Sequence, residues 1–121
     1  MNNNKTLSLS ELFQLLKENK GFTLDHSLTP YKGKGYAVAL QGKETQVKET
    51  DLDLNKFSDL LARYSERLEK NQFLGSWIDQ GIVYFDITEI HDDIGQAIAK
   101  GKERNQLGIF SFDSFETIYI N

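Results

Sequence analysis

The chain contains no cysteine, one proline, one tryptophan, one methionine and two histidines in 121 residues. Without cysteine there is no disulfide, no thiolate zinc site and no cysteine nucleophile. No apolar run approaches the roughly 18 residues of a membrane span. The start, Met-Asn-Asn-Asn-Lys, is polar and lacks a signal-peptide core. A cytoplasmic protein without membrane association is expected. Internal repeats and linker-like low-complexity stretches are also missing. What remains is globular: 39% hydrophobic and 12% aromatic residues can supply a core. At this length one domain is the natural size. We expect residues 1–7 to be a disordered N-terminus and residues 8–121 a single domain.

Net charge is −4, which disfavours direct nucleic-acid binding through phosphate contacts. The charge is divided unevenly. Residues 1–50 carry +2 and residues 51–121 carry −6. Five acids, Asp79, Asp86, Glu89, Asp92 and Asp93, follow one another with no Lys or Arg between them. They read either as a solvated acidic rim or as a negative patch that meets a basic partner.

Hydrophobic spacing predicts the elements. Leu9, Leu12, Phe13 and Leu16 repeat at helical spacing over 8–20, behind a Ser8–Glu11 capping box and ahead of a C-terminal Gly21. Short strands are expected over 22–25, 36–40 and, at an edge, 45–48, with a turn or loop at 29–35. Phe57, Leu60, Leu61, Tyr64 and Leu68 form the apolar face of a helix over 54–70, with Asp53 or Asn55 as cap. Strands over 73–78 and 82–87 flank a three-residue connection, Asp79-Gln80-Gly81. The second of these is apolar on both faces, as a central strand would be. Asp92 or Asp93 caps a third helix reaching about Arg104, whose narrow face of Ile94, Ala97, Ile98 and Gly101 permits close packing. Strands over 107–112 and 116–120 close the chain. No repeated parallel crossover is present, so the expected fold is α+β: a mostly antiparallel sheet with about three helices packed largely on one face.

Few patterns here carry chemistry. There is no G-x-S-x-G elbow, no phosphate-binding G-x-x-x-x-G-K-[ST] loop and no G-x-G-x-x-G. His26 reads as a loop histidine and Gly33-Lys34-Gly35 as turn geometry. Asp86, Glu89, His91, Asp92 and Asp93 offer oxygen and imidazole donors to a divalent ion, but Asp86 and His91 point to opposite faces of a strand. Trp77 and Tyr84 lie on the two arms of one hairpin, where they can pair and, if exposed, anchor an interface.

Several of these residues also form a pattern. Gly75-Ser76-Trp77, then Tyr84-Phe85-Asp86, Asp92-Asp93, Ala97, Ala99 and Asn105-Gln106-Leu107-Gly108-Ile109-Phe110 follow in order. This resembles a small-domain family of phages, prophages and conjugative elements. That family shows a G-x-W strand, a turn, a Y-[LF]-D strand, an acidic start to an alanine-bearing helix, and Q-x-[AG]-I-[FY]. Gly21-Phe22-Thr23-Leu24 and Gly35-Tyr36-Ala37-Val38-Ala39 resemble its N-terminal half, so the likeness covers most of 21–120. The family's helix start carries a further acid and a basic residue; here Ile94-Gly95-Gln96-Ala97 stands in their place. The resemblance implies a mobile-element accessory protein and carries over no catalytic residue.

The leading expectation is a non-enzymatic protein with no cofactor or metal. It would bind and inhibit a host nucleic-acid-targeting defence nuclease, as anti-CRISPR and anti-restriction proteins do. Asp79, Asp86, Glu89, Asp92 and Asp93 would form the acidic contact surface, with Trp77 and Tyr84 as aromatic anchors. One alternative is an interaction module for another phage or conjugation protein. The other is a metal-dependent hydrolase working at Asp86–Asp93.

Overall fold

A computed structural model describes residues 7–121. The disordered segment expected at the N-terminus lies, except for Leu7, outside the described residues; Leu7 is half-buried against the core. Helix α1 (Leu9–Asn19) opens on the expected capping box: the Glu11 amide donates to Ser8 Oγ at 3.1 Å, and the Ser8 amide donates to Glu11 Oε1 at 2.9 Å. The helix stops one residue earlier than its glycine implied. Lys20 takes the left-handed cap conformation, at φ 63°, and Gly21 already belongs to strand β1 (Gly21–Leu24). The sheet claims that glycine, because a Cβ there would lie 3.1 Å from the Ser76 carbonyl oxygen.

Strands β2 (Tyr36–Ala39) and β3 (Thr45–Lys48) lead through a single 3-10 turn, Glu49–Asp51, into α2 (Leu54–Arg67). Asp53 caps α2, accepting from the Lys56 amide at 2.8 Å. All five residues of the expected apolar face, Phe57 to Leu68, are buried.

β4 (Gln72–Asp79) and β5 (Ile82–His91) form a long hairpin. Its connection is two residues, not three: Asp79 still pairs with Ile82, and Gln80 and Gly81 both have positive φ, 49° and 79°. That is the conformation of a type I′ turn, whose twist matches that of the flanking strands. Helix α3 (Ile94–Glu103) follows, capped by Asp93, and β6 (Gly108–Ser111) and β7 (Glu116–Tyr119) complete the chain.

All seven strands join one antiparallel sheet in the order β1-β4-β5-β2-β6-β7, and β3 also pairs with β5. The fold is α+β, three helices on a strongly curled half-barrel of a sheet. β5 is the hub. One edge pairs with β4 from Ile82 to Glu89; the other takes β3 opposite Ile82 to Phe85 and β2 opposite Thr88 to His91. Residues 41–44 leave the sheet between these two stretches, facing Asp86. An insertion of this kind increases local twist and bends a sheet.

The helices lie on the face marked by Val83, Phe85 and Ile87, which are buried with Leu12, Leu16, Phe57, Leu60 and Leu61. Each such side chain contributes about 1.5–3 kcal/mol on burial. α3 sits on a smaller cluster on the same face, where Ala97 meets Val38 and Ile109. The small residue at 97 lets helix and sheet approach closely.

Candidate functional site

The other face of the sheet has two halves. Over one, the loop after β1 folds back: Tyr31 packs edge-on against Phe73 and Phe112, with centroids 5.4 and 4.8 Å apart. The other half holds Trp77 and Tyr84. The two-residue turn puts them directly opposite each other, and their rings stack at 4.1 Å with an interplanar angle of 11°. Trp77 remains 41% exposed. A stacked cross-strand pair adds about 0.2–1 kcal/mol to the hairpin. It also holds a large aromatic surface rigid toward solvent.

One register step along, Gly75 faces Asp86. Asp86 is 7% exposed. Its carboxyl leans across the strand so far that a Cβ on residue 75 would sit only 2.5 Å from Oδ1. Trp77 and Asp86 occupy diagonal positions on the same face of the hairpin, and the indole N–H, the only donor of the Trp77 side chain, acts on this carboxyl as a hydrogen bond that favours its charged form. Gly75, Trp77, Tyr84 and Asp86 are therefore one constellation. The G-x-W and Y-[LF]-D segments are the two arms of a single hairpin in register. Burial pushes Asp86 up to about 7, and Glu44 adds to the rise; the bond from Trp77 opposes it.

Behind Asp86, the space opened by residues 41–44 is filled from the helix side. The Tyr64 hydroxyl donates to the Lys43 carbonyl at 2.6 Å, lies 3.2 Å from that of Phe85, and shares a hydrogen bond with Thr45 Oγ1 at 2.6 Å. Burial raises the pKa of Tyr64, so this hydroxyl keeps its proton. Sequence reading placed Tyr64 in the core and Gly75 in the Gly75-Ser76-Trp77 pattern but gave neither its role here, and it missed Glu44. Gly75 had a signal: a glycine two residues before a tryptophan, opposite an aspartate once the turn length is known.

The five carboxylates do not form one surface. Asp79 is exposed at the hairpin tip. Asp92 and Asp93 lie at the opposite end of β5, about 30 Å away at the usual rise per residue. Asp93 caps α3, accepting from the Gln96 amide at 2.9 Å. Asp86 is buried on the open face. Glu89, an odd number of residues further, points to the helix face, where Arg104 Nη2 meets its Oε1 at 2.7 Å and His91 Nε2 lies 3.7 Å away. Strand alternation, helix capping and one ion pair thus divide the acidic run.

Of the donors considered for a divalent ion, Glu89 and His91 come together, with Arg104 on the same carboxylate, while Asp86 lies on the other face and Asp93 caps α3. Among the described residues no group of three or more His, Asp or Glu side chains is placed to hold a metal. The ring of His26 contacts the Glu69 carbonyl at 2.8 Å. Gly35, at φ 109°, lets the backbone pass the His91 carbonyl, where a Cβ would come within 2.8 Å. Among the described residues no helix is long and apolar enough to cross a membrane.

Compared with protein-family models, curated proteins and solved structures, the chain matches none.

Proposed function

We propose that this chain is a non-enzymatic accessory protein of a mobile genetic element that acts by binding another protein, with the Trp77–Tyr84 stack as its anchor. The observation that carries this reading is the exposure of that stack on a rigid hairpin. Trp and Tyr dominate interface hot spots, and a pair already ordered before docking loses little entropy on binding. Asp79, exposed at the end of the same strand, supplies an acidic rim. Asp92 and Asp93 form a second acidic point at the far end of β5.

The target class we infer is a host defence nuclease that acts on nucleic acid, RNA-guided or restriction type. The resemblance to phage and conjugative-element proteins supports this. So does the −6 charge of residues 51–121, which would steer the protein toward a cationic nucleic-acid channel. The test is binding and cleavage inhibition across a panel of such nucleases. Trp77→Ala should weaken binding at least about tenfold, while Asp79→Lys should mainly slow association and reduce its salt dependence. No binding and no inhibition across the panel would overturn the reading.

A second reading rests on the closing hairpin. Leu107, Phe115 and Tyr119 are its exposed apolar residues, and β7 is an edge strand. It would present this hairpin to another phage or conjugation protein. Co-purification that survives Trp77→Ala and fails with Tyr119→Ala would favour it.

A further inference from the structure

The proposed contact surface has a titratable group built next to it on the same face of the hairpin. Asp86 lies diagonally across the hairpin from Trp77 on the same face of the sheet, in space that exists only because residue 75 has no side chain. Its carboxyl takes the hydrogen bond of the Trp77 side chain, and Trp77 in turn stacks on Tyr84. Changing the charge on that carboxyl changes the strength of the bond that sets the ring, because a charged acceptor binds an N–H about twice as strongly as a neutral one.

We propose that Asp86 is the positioning residue of the aromatic anchor: seated over Gly75 and bonded by Trp77, it holds the Trp77–Tyr84 stack in its exposed orientation, and gain or loss of a proton there resets the stack. The part of this inference that concerns binding rests on the stack being the contact surface. The coupling between Asp86 and Trp77 does not.

The groups that face Asp86 are few. From β4 there is the indole of Trp77. From the excursion between β2 and β3 there is Glu44, whose negative charge favours the protonated form; Lys43 in the same segment is exposed and turns its carbonyl inward to Tyr64. From α2 there is the phenol of Tyr64, which feels the Asp86 charge across the gap. Among the described residues no cation is one of the groups that shift Asp86. The carboxyl is therefore held near about 7, within reach of modest pH changes.

Because Trp77 is the sole tryptophan, it reports on itself. In the full chain its emission, and the one indole N–H proton resonance, should titrate with a midpoint near 7, matching that of the Asp86 carboxyl carbon. An exposed carboxyl would instead titrate near about 4. Asp86→Asn should abolish the transition, and His26→Gln and His91→Gln should retain it. Absence of a transition between about pH 5 and about pH 9, or its loss in either histidine variant, would overturn the proposal. If Asp86→Asn does not fold, the wild-type resonances decide: different midpoints for the carboxyl and the indole overturn the coupling. The nuclease panel, run at both ends of the transition, separates the two claims. A titrating indole with no nuclease bound removes the functional reading and leaves the coupling standing.

Discussion

Asp86 shows what a single residue contributes when the fold buries it. Its carboxyl is lifted from an ordinary value of 3.8 to about 7, first by burial and then by Glu44. The native state therefore holds a proton that the unfolded chain has already released. Between about pH 4 and about pH 7 the native state binds more protons, so stability falls as pH rises through that window and levels off above it. The loss is on the order of a few kcal/mol at most. Asp86→Asn removes the titration while keeping the shape. Its melting temperature relative to wild type should rise across the window and be highest on the alkaline side. Parallel thermal melts of the two proteins measure this directly, and a constant difference with pH would exclude it. The sequence displayed Asp86 as one of five acids spread over residues 79–93 with no lysine or arginine among them. Its neighbours along the chain, Phe85 and Ile87, hint at a buried strand, but nothing local says that the open face is closed at this point.

Among the elements, the hairpin of β4 and β5 builds the exposed face. Its existence, its arms and its aromatic pair are legible in alternating apolar residues around a glycine. Its turn length is not, because Asp79 fits equally well as the last strand residue or the first turn residue. The backbone decides: Gln80 and Gly81 adopt the two positive φ values of a type I′ turn. Glycine tolerates that conformation freely, whereas glutamine is strained by roughly 1 kcal/mol or more. Gln80→Asn, the residue preferred at that position, should raise the melting temperature by a few degrees, roughly 2–6 °C, without altering binding. A fall in melting temperature would mean that the turn has a different conformation. The helices are more legible than the hairpin. The caps at Ser8, Asp53 and Asp93 all act as caps, since a cap is a contact over three residues and local spacing suffices. The helix ends are less legible: α1 stops where the sheet takes Gly21, and α2 stops at Arg67, three residues short of the expected 70, with Leu68 already extended.

On the scale of the molecule, β5 organises everything else, and the weak point is where its second edge changes partner. Tyr64 closes that gap from α2, linking the excursion at residues 43–45 to Phe85. Tyr64→Phe keeps the ring in the core but leaves buried acceptors without a donor, at a cost of about 1–3 kcal/mol. The expected result is a lower melting temperature and faster amide exchange at Thr45 and Phe85, with the rest of the sheet protected as before. Unchanged exchange at those two positions would show that the hydroxyl is not what closes the gap. The amino-acid sequence alone determined the class of fold, the elements and which face of each helix is buried, except that Ile94, expected on the packing face of α3, is exposed in its first turn. All of these follow from periodicity and capping, which are properties of residues a few positions apart. Tertiary structure decided the remainder. It set Asp86 over Gly75 next to an exposed aromatic stack, paired Glu89 with Arg104, and carried Asp79 and Asp92 to opposite ends of one hairpin. Those outcomes depend on sheet register and curl, which bring together residues distant in the chain and leave no trace in local spacing.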